Sequence, residues 1–110
     1  MKKIFLAVLL AALLCTSAFA ISDKEYGSLL RENPEFYEAD QELNEVWDEL
    51  KDELSAREFA KLKQDQAKWV KSGRDRDAGR RMKSGLSKAK AYTEATRARA
   101  KYLRDNYLDH

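Results

Sequence analysis

The stretch QDQAKWVKSGRDRDAG, Gln64 to Gly79, sets a tryptophan between amide side chains and a doubled Arg-Asp pair, inside what otherwise reads as helix. Upstream, Phe59, Leu62, Gln66 and Trp69 recur at heptad-like spacing, the mark of an amphipathic helix. Gly73 and Gly79 then interrupt, and each helical glycine costs up to about 1 kcal/mol against alanine. The tail from Gly73 to Ser84 is therefore the weakest helical stretch.

Working outward, Ser55-Ala56-Arg57-Glu58 forms a capping box at the start of this helix, so the turn before it is very short. A short connection makes the preceding helix an antiparallel neighbour. That helix spans Pro34 to Leu54, with Asn33 as cap, Pro34 at its first position, and Phe36, Leu43, Trp47, Leu50 and Leu54 on one stripe. Asp40 falls in the same register and points toward the core or its rim. The other faces carry Glu38, Glu42, Glu45, Asp48, Glu49 and Asp52, with Glu35 and Glu53 at the ends. Before it, Ser22-Asp23-Lys24-Glu25 opens a short first helix bearing Tyr26, Leu29 and Leu30.

Downstream, Gly85 stops the chain, Ser87 caps, and a last helix from about Lys88 to Tyr107 carries Tyr92, Thr96, Arg99, Leu103 and Tyr107 near one stripe. Charged residues make up 36% of the chain and there is one proline, which favours helix over sheet. The expected fold is all-α: an antiparallel helical hairpin or three- to four-helix bundle without disulfides.

The first twenty residues read as a leader. Lys2 and Lys3 precede an apolar run, Ile4 to Leu14, and Ala18-Phe19-Ala20 is a small-x-small cleavage pattern. The run is shorter than the roughly 20 residues that span a bilayer. Leu14 stands before Cys15, where lipoprotein processing takes a small side chain, so cleavage after Ala20 is favoured over lipidation. A chain starting at Ile21 has no cysteine, one domain and no membrane span, and is expected in the periplasm or outside the cell.

Without the leader the charges balance, but unevenly. Ile21 to Leu54 holds 3 bases and 12 acids, whereas Ser55 to Arg104 holds 16 bases and 5 acids. The basic run Arg80, Arg81, Lys83, Lys88 and Lys90 suits an anionic surface. The reading favoured here is that it faces solvent or the acidic second helix, because a neutral chain lacks the positive field that nucleic-acid binders use.

Enzymatic constellations are absent. The single histidine is the terminal His110, and no serine sits in a nucleophile elbow. Asp75-Arg76-Asp77-Ala78-Gly79 departs from a calcium loop, with its glycine one place early and Leu86 where the twelfth-position glutamate belongs. No metal or other cofactor is indicated.

The polar residues within apolar stripes are more specific. Asp40, Gln66, Thr96 and Arg99, with Arg74 or Arg76 as a second cation, can meet at one level of a bundle. A carboxylate leaving water needs a hydrogen-bonding cation, and an arginine fork supplies two parallel bonds. Register specification is favoured over recognition for this layer, and Trp47 and Trp69 are expected in the core.

Several of these residues carry a resemblance. Ala39-Asp40-x-x-Leu43-Asn44-x-x-Trp47, Gln64-x-x-x-x-Trp69 containing Gln66, Arg74-Asp75, and Thr96-Arg97-x-Arg99 together resemble the N-terminal domain family of the LprI-type lysozyme inhibitors. The likeness runs from Tyr26 to Leu103 and implies a small exported bacterial helical domain. It also implies Asp40, Asn44, Trp47, Gln66, Trp69, Arg74, Asp75, Thr96 and Arg99 as the family positions.

Two departures stand out. Many relatives carry cysteines that this chain lacks, and many place the arginine four residues after the tryptophan, where Arg74 is five after Trp69. One extra residue turns the pair by about 100°, unless a π-bulge at Ser72-Gly73 absorbs it. The family name implies a partner such as lysozyme, steered toward the acidic helix, or another envelope or secreted protein, with no nucleic acid. The alternatives are that the acidic face only complements the basic half of the same chain, or that the domain is a structural adaptor.

Overall fold

The computed structural model describes residues 21–108; the expected leader, residues 1–20, and the last two residues lie outside them. The elements are α1 (Asp23–Glu32), α2 (Pro34–Glu53), α3 (Ala56–Lys68), α4 (Arg74–Lys83) and α5 (Lys88–Leu103). Two π-helical turns, Trp69–Gly73 and Arg104–Leu108, follow α3 and α5. The first joins α3 to α4 without a break in helical backbone, since Lys68, Gly73 and Arg74 all keep right-handed helical angles.

The helix starts are set by local chemistry. Ser22 Oγ accepts from the Glu25 amide at 3.1 Å while the Glu25 carboxylate accepts from Ser22 N at 3.2 Å, and Ser55 with Glu58 repeats the arrangement. Ser87 Oγ accepts from Lys90 N. Asn33 occupies the cap position of α2, but its side chain makes no capping bond, so that start rests on Pro34. Between α4 and α5 the chain closes a Schellman turn: Leu86 N donates to Arg81 O and Gly85 N to Met82 O, with Gly85 at φ 115°.

Three rods run up, down and up. At one end Phe36 of α2, Ala78 of α4 and Ala91, Tyr92 and Ala95 of α5 pack together with Leu29 of α1. At the other end Leu43, Val46 and Leu50 meet Leu62 of α3 and Ala100 and Leu103 of α5. Thus α2 and α5 are parallel, and the α3–α4 rod is antiparallel to both. α1 folds back over the first end, where Tyr26 meets Phe36 edge to face at 5.6 Å between centroids. Phe36, Val46, Leu50, Leu62, Tyr92 and Leu103 are sealed from solvent, and each such apolar side chain stabilises by about 1.5–3 kcal/mol.

The α2 stripe is wider than its large residues suggest. Ala39 and Val46 are buried alongside Phe36, Leu43 and Leu50, while Leu54 is half-buried. The expectation that both tryptophans are core residues is corrected in degree. Trp47 and Trp69 are half-buried, packing at the edge of the second cluster, with Trp47 tilted against Phe59 at 5.0 Å. An indole on the edge of a three-rod bundle is too large to be enclosed on every side. Among the described residues no helix is long and apolar enough to cross a membrane.

Candidate functional site: a polar layer and an acidic face

The two apolar clusters are separated by a polar layer, built where the stripes of all three rods turn polar. Asp40 lies between Phe36 and Leu43 on α2, Arg74 between Trp69 and Ala78, and Thr96 and Arg99 between Ala95 and Ala100 on α5.

The π-helical turn decides which arginine enters the layer. Arg74 N donates to Trp69 O, five residues back, so Arg74 sits one turn beyond Trp69 as an i+4 residue does in an α-helix. Its guanidinium lies 5.7 Å from the Trp69 ring and 5.2 Å from the Tyr26 ring. Its Nε is buried with no hydrogen-bond partner among the described residues, and the two aromatic faces support it there. Arg76 is exposed and reaches only back to Ser72 Oγ. Gly73 leaves room for the indole, since a Cβ there would stand 3.0 Å from Trp69 Cδ1 and press the ring aside.

The remaining groups form separate pairs. Tyr26 donates its hydroxyl to Asp40, and Asn44, which is exposed, donates to the other Asp40 oxygen at 3.4 Å. Tyr92 donates to Asp75 Oδ1 at 2.6 Å, and the backbone nitrogen of Ile21 donates to the same oxygen at 3.2 Å. Burial first, and then the adjacent carboxylate, pushes both tyrosine phenols well above the ordinary range. Arg99, whose side chain is 10% exposed, donates from Nε to Gln66 and from its terminal nitrogen to Asp65, each at 2.8 Å. It is stacked between Trp69 at 5.6 Å and Tyr102 at 5.0 Å.

The expected joining of Asp40 to Arg99 does not occur. Arg99 spans from α5 to α3 and is answered by Asp65, while Asp40 is answered by the tyrosine of α1. Thr96 is buried but donates to Tyr92 O within its own helix, so it completes α5 and does not join the rods. Tyr26, Asp65 and Tyr102 were not expected here. Asp65 stands one residue before Gln66, and nothing in the stripe pattern distinguishes it from a solvent-facing acid. Tyr26 enters because α1 folds back on α2, a tertiary event.

On α2, Glu35, Glu38, Glu45, Asp48, Glu49, Asp52 and Glu53 are exposed, and among the described residues none of them has an ion-pair partner. Only Glu42 does, at 3.3 Å from Arg104. The basic run is answered elsewhere: Arg80 and Arg81 reach Asp77, Arg81 also reaches Glu94, and Lys88 holds Glu25 at 2.7 Å. That ammonium is the first cause of the lowered pKa of Glu25. The acidic face is therefore not consumed by the basic half of the chain. Exposed Tyr37 adjoins it on the same helix.

Among the described residues no cluster of three or more His, Cys, Asp or Glu is placed to hold a metal ion. Fold and surface together define a small all-helical domain that offers a charged face, stiffened by an internal polar layer. The chain belongs to the lysozyme inhibitor LprI family, whose model matches residues 32–103. That match spans α2 through α5, including the polar layer and the acidic face. Neither the curated proteins nor the solved structures include a match to the chain.

Proposed function

We propose that this chain is an exported protein-binding domain that inhibits a lysozyme through the acidic face of α2. Family membership supports the target class, and the leader pattern before Ile21 supports export. The observation that carries the reading is that seven exposed acids on α2 have no ion-pair partner among the described residues, although those residues include ample bases.

Unpaired like charges along one helix repel one another, and a basic partner relieves that repulsion while being steered in by the field. Tyr37 supplies an amphipathic ring within the acidic surface, the residue type that anchors interfaces. The polar layer ties α2 to α1 through Asp40 and Tyr26, and α5 to the α3–α4 rod through Arg99 and Tyr92, while apolar packing on α5 holds α2, so that the acids are presented on a rigid rod.

The test is a bacteriolysis assay with purified processed protein and several lysozyme types, at low and moderate salt. Inhibition that weakens with salt is expected. Absence of inhibition at micromolar protein across all types overturns the proposal. Light scattering over the same salt series separates it from an envelope adaptor that self-assembles through its acidic and basic halves, for which salt-dependent oligomers are expected instead.

A further inference from the structure

The charges of the polar layer do not balance within the side chains that build it. Arg99 is answered by Asp65 at 2.8 Å. That leaves two carboxylates, Asp40 and Asp75, against one further cation, Arg74, and neither carboxylate lies within ion-pair distance of a Lys or Arg among the described residues. Asp75 accepts from two donors, the Tyr92 hydroxyl and the backbone nitrogen of Ile21. The Ile21 side chain packs against the first apolar cluster, and Ser22 immediately caps α1, so this nitrogen is held in place from both sides.

We infer that removal of the leader is itself a structural modification, which converts the Ile21 nitrogen into the missing cation of the layer, paired with Asp75. The inference rests on cleavage after Ala20, part of the export reading. In that hydrolysis the Ala20–Ile21 amide bond breaks and water is consumed. Ala20 leaves as a carboxylate on the peptide released, and Ile21 keeps the nitrogen as an ammonium at neutral pH.

Before cleavage the nitrogen is an amide with one proton to donate. After cleavage it carries a full charge and three donors at the same position, 3.2 Å from Asp75 Oδ1. A hydrogen bond charged only on its carboxylate side becomes an ion pair charged on both partners. The charged groups around the Asp75–Tyr92 bond are Arg74 from α4 and Glu25 from α1, with Lys88 from α5 on Glu25. Lys88 and Glu25 neutralise each other, which leaves Asp75 as the dedicated partner. Because Asp75 belongs to α4 and Ile21 precedes α1, the new pair fastens the N-terminal helix to the central rod. Processing thus completes the fold, and the unprocessed chain is the less stable form.

The full chain is expressed in a bacterial host and the processed protein is isolated, its mass measured, and its α-amine acetylated selectively. The mass is expected to begin at Ile21; any other start overturns the inference at its processing step. With that start established, acetylation is expected to lower the folding equilibrium constant about tenfold, a fall in Tm of roughly 5 to 10 °C for a domain of this size. In Asp75→Asn the same acetylation is expected to change it less than twofold, whereas in Glu25→Gln the full loss is expected to persist. No effect of acetylation on the wild-type protein, or its disappearance in Glu25→Gln, refutes the Asp75 pair. Should Asp75→Asn fail to fold, the Asp75 carboxyl carbon resonance of the wild-type protein decides. It is expected to move on acetylation, and an unmoved resonance refutes the pair.

Discussion

Deleting Lys71 should leave this protein folded, although the deletion falls in the middle of a rod running from Ala56 to Lys83. In a regular α-helix the loss of one residue rotates everything downstream by about 100°. Such a rotation would turn Ala78 and Met82 away from the first cluster and part Asp75 from Tyr92. Losing the half-buried Met82 contact costs about 1 kcal/mol and the lost hydrogen bond to a charged acceptor about 1.5–3 kcal/mol, together roughly 2.5–4 kcal/mol. A domain of this length has only about 5–13 kcal/mol in total. The π-helical turn Trp69–Gly73 contains the extra residue already, so removing exposed Lys71 converts it to α-helix and keeps Arg74 one turn beyond Trp69. The expected change is within about 1 kcal/mol, read by urea unfolding followed by circular dichroism. Deletion of Lys63, in the regular part of α3, serves as the contrast and is expected to cost at least about 3 kcal/mol, because it rotates Leu62 out of register with Trp69. A loss above about 3 kcal/mol on Lys71 deletion, with an unchanged m-value, would refute the assignment of Arg74 to the layer through the π-turn.

Stability should fall as pH rises above 10.0, the ordinary tyrosine value, because Tyr26 and Tyr92 are held neutral in the folded state while the unfolded chain ionises. The raised folded pKa makes this contribution complete below pH 10 and progressively lost above it, by up to about 1.4 kcal/mol per pH unit for each phenol. Tyr26→Phe and Tyr92→Phe should each flatten the alkaline limb of a stability-pH curve. Gly85→Ala should destabilise by about 1 kcal/mol in thermal melts, since φ 115° is a conformation alanine resists. Charge reversal of Glu45 and Asp48 to lysine should leave the melting temperature nearly unchanged, because both are exposed and neither has an ion-pair partner among the described residues, while weakening lysozyme inhibition about tenfold at low salt. Equal inhibition by that variant and the wild-type protein would remove the acidic face from the mechanism.

Most of the architecture is legible in local chemistry. Ser22, Ser55, Ser87 and Gly85 mark helix ends with side chains or backbone angles that act within four residues, so their meaning survives without tertiary context. Spacing of Phe36, Leu43, Leu50, Leu62 and Leu103 identifies the buried faces for the same reason, as helical periodicity is a property of one segment. Pairings between segments are not legible in this way. Asp40 in an apolar register announces a polar layer but does not name its partner, and the partner is Tyr26 because α1 folds back over α2.

The Gln64–Gly79 stretch shows where the division falls. Its sequence alone determines a helix with Gln66 and Trp69 on the inner face, and the resemblance to the family marks one residue before Arg74 as extra. Whether that residue swings Arg74 outward or is absorbed is a contest between one regular backbone bond and the packing of everything beyond it. Tertiary structure decides it: burying Ala78 and Met82 and bonding Asp75 to Tyr92 outweighs the irregular turn, so the helix yields at Trp69–Gly73 and Arg74 faces inward. The sign of the acidic face was likewise present in composition, but only the packed rods show that the basic half pairs with other acids and leaves α2 free to meet a partner.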